Sequence, residues 1–103
     1  MKVKIPFKAR FEDPLLEGTK TLTSRTKPMG KIGDTFEAFG AEFVITDVFK
    51  SALYIVSNFW DREGCSSKED FVEVWNQIHP RKGFVPMQVV WVHVFEKLEE
   101  ARG

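Results

Sequence analysis

Apolar and polar residues alternate from the first positions of the chain. Val3, Ile5 and Phe7 fall on one side and Lys2, Lys4 and Lys8 on the other, which predicts a strand with one buried face. Arg10 to Glu17 reads as a short helix with Pro14 in its first turn and Gly18 just past its end. Phe36 to Gly40 starts a second strand after a Gly- and Pro-rich loop, Pro28 to Asp34. Phe43 to Phe49 gives a third, with Phe43, Ile45 and either Val48 or Phe49 turned inward, an ambiguity of parity that points to a bulge.

Leu53-Tyr54-Ile55-Val56 suits a buried strand or the start of a helix; we read it as a strand running into a short helix that ends at Gly64. Ser66 or Ser67 caps the next helix, Glu69 and Asp70 complement its dipole, and Pro80 stops it. Phe71, Trp75 and Ile78 on that helix, and Trp91 further on, are core positions by spacing. Met87 to Phe95 alternates strongly and predicts a long central strand, Val90, Val92 and Val94 on one side, Trp91, His93 and Phe95 on the other. With about five or six strands, two or three short helices and no regular β-α-β alternation, the pattern predicts an α+β fold with a curved or closed sheet.

One stretch breaks the pattern. Gly18 to Arg25 is β-prone, yet Leu22 is its one apolar residue among hydroxyls and two cations. Those polar groups need a partner or a task.

Composition narrows the classes. The chain has 103 residues, 43% hydrophobic and 14% aromatic, as expected of one packed domain over residues 1–103. No apolar run approaches the roughly 18 residues of a membrane span, and Met1-Lys2-Val3-Lys4 lacks the apolar core of a signal peptide, so a cytoplasmic location is expected. Cys65 is the single cysteine and His79 and His93 are the only histidines, which leaves no zinc site and no cofactor in view. The formal net charge is zero, which argues against tight, sequence-blind binding to long nucleic acid. Residues 1–31 nevertheless hold eight Lys/Arg against three Asp/Glu, a basic third that suits a phosphate or a short RNA.

At Gly18-x-Lys20-x-x-Thr23-x-Arg25, followed by Ile32-Gly33-Asp34 and later Glu63-Gly64, the chain resembles the ASCH domain family, small proteins with a PUA-like β-barrel. The resemblance spans nearly the whole chain, including the helix ending Ile78-His79-Pro80 and the final strand. It implies a cleft for a nucleoside or RNA beside the barrel. It is nearest to compact members that look like amidohydrolases removing the acetyl group of N4-acetylcytidine with a Lys, a Thr and a Glu, positions that fall on Lys20, Thr23 and Glu63. The alternative is a non-catalytic RNA- or nucleotide-binding module.

The residue types support such chemistry independently. A Thr hydroxyl near a neutral Lys amine is an activated nucleophile, and burial beside Arg25 would move Lys20 towards neutrality. Thr23 would attack the acyl carbon, Lys20 take its proton, and Glu63 serve the leaving amine or the deacylating water, with Arg25 on developing charge or a phosphate. Thr21 and Trp60 are further substrate-binding candidates, Trp60 as a stacking platform. In a regular strand, however, Lys20 and Thr23 point to opposite faces, and they meet only if the backbone is irregular near Gly18 and Thr19 or the long Lys stem curls around the edge. In a regular strand Thr21 and Thr23 are simple hydrogen-bonding residues and Lys20 a phosphate ligand. Cys65 and His93 read as buried structural residues, and His79 as a partner of its helix end.

Overall fold

The alternation at the start does not mature into a ladder. In the computed structural model, which describes residues 1–99, Val3 N–H donates to Thr35 O at 2.7 Å and Thr35 N–H to Met1 O at 2.9 Å. The result is one parallel bridge, Lys2 to Thr35, in place of a strand. Pro6 has no N–H to extend the pairing. The side chains still follow the period: Ile5 is in the core, and Val3 and Phe7 pack against it.

A 3-10 turn at Ala9–Phe11 leads into α1 (Glu12–Glu17), where Pro14 sits in the first turn and has no helical acceptor to lose. Gly18 ends it at φ +85°, its N–H on Leu15 O. Four antiparallel strands follow: β1 (Leu22–Arg25), β2 (Thr35–Ala38), β3 (Ala41–Ala52) and β4 (Val89–Lys97). Their order is β1-β4-β3-β2, so β4 is central, as its alternation predicts. They form a curled half-barrel with short helices, the α+β class expected.

Two differences bring the strand number to four. The first is the lone bridge at Lys2. The second is Leu53 to Val56, which lies in the helix α2 (Leu53–Ser57). β3 already pairs to Ala52 against Val89, and Leu53 and Tyr54 then give their N–H groups to Gln88 O and Pro86 O, which closes the ladder. Leu53 and Val56 bury one helical face instead of alternating. Turns fill the chain from α2 to Gly64, where φ is +84°.

The bulge is real. β3 shifts register between Ile45 and Asp47; Phe43 and Ile45 point inward before it, and beyond it Val48 packs on the core while Phe49 is 44% exposed. The helix α3 (Lys68–Ile78) is capped by Ser67, whose Oγ accepts Asp70 N–H at 3.0 Å. Its Phe71, Val74 and Trp75 are buried. Ile78, expected in the core, is 45% exposed because the helix ends there, at the rim of a cavity. Trp91, also expected in the core, is half-buried under Lys50 Nζ, 5.0 Å from its ring.

Inside the curl, Phe36 stacks on Phe43 at 5.2 Å and Phe95 meets both edge-on at 5.2 and 5.6 Å. Phe7 extends this cluster outward, 5.8 Å from Phe36, and lines the cavity with its other side. Among the described residues no helix is long and apolar enough to cross a membrane.

Candidate functional site

Between the end of α1 and the start of β1 the backbone is irregular. Lys20 N–H donates to Pro14 O, and Thr21 and Leu22 both donate to Arg62 O, at 2.8 and 3.1 Å. This clamps the polar stretch against the turn that carries Glu63. Lys20 is only 3% exposed and Glu63 4%. Lys20 Nζ donates to Glu63 O at 2.6 Å, Leu22 O at 2.9 Å and Glu63 Oε1 at 3.3 Å, so each of the three ammonium protons has an acceptor. The faces of Phe11 and Phe7 lie 4.5 and 5.8 Å from the same nitrogen. Burial pushes the Lys20 ammonium below its ordinary value, and the charge and hydrogen bond of Glu63 oppose that shift.

The other carboxylate oxygen, Glu63 Oε2, accepts Ser24 Oγ at 2.7 Å. Thr23 is engaged elsewhere: its Oγ1 accepts Arg25 Nε at 3.0 Å, and Arg25 also donates to Pro6 O while its guanidinium stands 5.1 Å from the centre of the Phe7 ring. Opposite Thr23 in the β1–β4 ladder is His93, fully buried on β4. Its Nε2 accepts Met29 N–H at 3.0 Å, which leaves Nδ1 to carry the hydrogen and donate to Thr23 O at 3.2 Å. Burial is the main cause holding His93 below its ordinary value, so the ring is neutral, the satisfied barrel residue expected from sequence.

These groups open onto a cavity of about 460 Å³. Lys20, Thr23, Ser24 and Glu63 form its buried polar part, and Phe7, Phe11, Phe71 and Trp75 its aromatic walls. Lys8, Arg25 and Lys27 bring cations to its more exposed part. His79 stacks on Trp75 at 4.2 Å and its Nδ1 lies 3.3 Å from Trp75 O, where it serves the last turn of α3. Burial pushes the Cys65 thiol up to about 11, so although Cys65 lines the cavity it stays protonated.

Lys20, Thr23, Arg25 and Glu63 therefore share one cavity, but among the described residues Lys20 and Thr23 share no hydrogen bond. Thr21 is outside the lining and accepts Arg62 Nε at 3.1 Å. Trp60 packs on the core and does not line the cavity; the indole that does is Trp75. Sequence reasoning passed over Ser24 and the Trp75–His79 stack. No local pattern marks Ser24, because the irregular backbone before β1 makes parity along residues 20–24 no guide to which hydroxyl meets Glu63. Among the described residues no three His, Cys, Asp or Glu side chains gather into a group that could hold a metal ion.

No protein-family model matches the chain, and no curated protein matches it. Solved structures do. The ASCH domain from Lactobacillus crispatus JV V101 superposes with a TM-score of 0.64 at 15% identity, over 93% of this chain and 79% of that one. The chain has the ASCH-domain fold. The hypothetical protein PH0355 has the same architecture, with a TM-score of 0.71, 18% identity and coverage of 95% and 100% of the two chains. Protein EF3133 from Enterococcus faecalis V583 gives 0.62 at 19% identity, over 86% and 67%. At such identities the likeness is one of fold, and what this cavity does has to be argued from its own side chains.

Proposed function

We propose that the cavity binds a nucleoside, free or within RNA, and hydrolyses the acyl amide of N4-acetylcytidine. The observation that carries this reading is the buried Lys20–Glu63 pair meeting a hydroxyl inside an aromatic-walled cavity. Two charges taken out of water weaken a fold unless they are well paired, so such a pair facing a cavity is a candidate for chemistry. The cavity, about 460 Å³, is within the range of small-ligand sites, and its rings suit a flat heterocycle. Amide hydrolysis needs an attacking oxygen, a proton for the leaving nitrogen and a positive group near the developing oxyanion. The hydroxyls of Thr23 and Ser24, the Lys20–Glu63 pair and Arg25 are groups of those three kinds. In the scheme with Thr23 as nucleophile, Lys20 must first pass a proton across 3.3 Å to Glu63 Oε1.

A second reading, a non-catalytic RNA- or nucleotide-binding module, is favoured by one feature. All three Lys20 protons rest on protein oxygens and Thr23 rests on Arg25, as in a fixed structural floor. The two readings separate on incubation of the purified protein with N4-acetylcytidine, followed by chromatography for cytidine, with Glu63→Gln in parallel. Cytidine from the parent protein and a loss of about 10²-fold or more in the variant are expected. A folded parent protein that binds the nucleoside in calorimetry but releases no cytidine would leave the binding module.

A further inference from the structure

We propose that Ser24 supplies the attacking oxygen of this site, with Glu63 as its base and Lys20 as the cation that holds the carboxylate. The proposal rests on the hydrolase reading for its natural substrate, but its geometry stands apart from the identity of that substrate.

Hydrogen bonding selects the residue. Lys20 and Ser24 converge on the two oxygens of one carboxylate: Lys20 Nζ lies 3.3 Å from Glu63 Oε1 and Ser24 Oγ 2.7 Å from Oε2. A Ser oxygen at that distance from a carboxylate donates its hydrogen, so its proton already points at a base and its lone pairs remain for attack. A third group orients the base, which completes the nucleophile–base–orienter sequence. Thr23 has the reverse arrangement. Its oxygen accepts Arg25 Nε, which occupies a lone pair, and among the described residues it has no hydrogen bond to Lys20 or Glu63. Both hydroxyls line the cavity, so position alone does not separate them; bonding does.

The step balances. Ser24 Oγ forms a bond to the acyl carbon as its proton moves to Glu63 Oε2. The carbon–nitrogen bond then breaks, Glu63 returns the proton to the leaving amine, and an acyl ester remains on Ser24. Water, deprotonated by Glu63, adds to the ester; Ser24 Oγ leaves and recovers the proton, and the carboxylic acid departs. The sum is amide plus water giving amine plus acid. Arg25, on Thr23, then serves the oxyanion of both tetrahedral stages.

Two probes test it. p-Nitrophenyl acetate, which needs no nucleoside recognition, is mixed with the protein, and the acid-quenched chain is digested and mapped by mass spectrometry; N4-acetylcytidine turnover is measured beside it. One acetyl group on Ser24 is expected in the parent chain. Ser24→Ala should take up none and lose about 10³-fold or more in turnover, while Thr23→Val still labels at Ser24. Circular dichroism establishes that each variant is folded, and Ser24→Cys, which keeps a nucleophile at the position, should label at the new sulfur. An acetyl group on Thr23 or Lys20, absence of label in the parent chain, or cytidine release by Ser24→Ala at the parental rate would overturn the proposal, the last with the hydrolase reading intact. Label on Ser24 without cytidine release from N4-acetylcytidine would leave the nucleophile standing and remove the substrate.

Discussion

A Cβ placed on Gly64 would stand 3.0 Å from the Cβ and 3.2 Å from the Cδ of Lys20. Glycine is therefore required twice over, once for the left-handed φ of +84° and once because the Lys20 stem passes against its Cα on the way to Glu63. Gly64→Ala is expected to cost about 1–3 kcal/mol and to shift Lys20 from Glu63, lowering nucleoside affinity. Gly18→Ala is the control: φ is +85° there with nothing within 4 Å of the added carbon, so it should show the backbone cost alone. Urea denaturation of both variants checks this, and equal losses would mean that the contact with Lys20 is slack.

The Lys20–Glu63 pair should behave as a unit. Removing either charge strands the other in a site that water hardly reaches, so Lys20→Met and Glu63→Leu are each expected to lose about 3–5 kcal/mol. The double variant should lose much less than the sum of the singles. A double-mutant cycle by chemical denaturation reads the coupling, and additive losses would show that the two groups are held independently.

His93 ties stability to pH. Its folded-state value lies below the ordinary 6.5, so below that pH the unfolded chain takes up a proton that the folded chain refuses. Stability should thus fall as pH drops through the ordinary histidine range near 6.5. The same loss should loosen Met29, whose N–H rests on His93 Nε2. His93→Gln has no titration there and should flatten the dependence; an unchanged slope in that variant would assign it to other groups.

Trp75 should report ligand binding. It lines the cavity whereas Trp60 does not, so quenching of tryptophan fluorescence by cytidine is expected to persist in Trp60→Phe and to vanish in Trp75→Phe. The opposite pattern would return the stacking role to Trp60.

The central strand, the bulge in β3, the Gly18 stop and a serine cap at 66 or 67 were legible because each rests on local chemistry: alternation, parity, a left-handed turn and a side-chain acceptor. Leu53 to Val56 was not, since four apolar residues fit either period and the length of β3 decided the outcome. The gathering of Lys20, Thr23, Arg25 and Glu63 around one cavity was implied by the ASCH resemblance and by no local pattern, and their bonding was not implied at all. Which hydroxyl meets the carboxylate depends on how Arg62 O bends residues 21 and 22, a long-range contact with no local signature. Trp60 was chosen for nearness to Glu63 along the chain, while the indole at the cavity arrives on a later helix.

Salt dependence at the rim of the cavity is expected to distinguish RNA from a free nucleoside. Lys8 and Lys27 line it, both side chains are exposed, and among the described residues neither makes an ion pair. A phosphate reaching them releases counterions, so binding of a short single-stranded RNA should weaken with salt by about 0.7 in log–log slope for each phosphate neutralised. Cytidine has no phosphate and its affinity should stay flat between about 50 and about 200 mM salt. The RNA is therefore expected to bind more tightly than the nucleoside at low salt, with the advantage shrinking as salt rises. Replacing both lysines, Lys8→Ala with Lys27→Ala, should reduce the RNA slope by about 1.4 and leave the nucleoside unaffected. Filter binding across a salt series decides between the two sources of the base. Equal, salt-independent affinities would make the free nucleoside the ligand and leave the rim lysines as solvated surface.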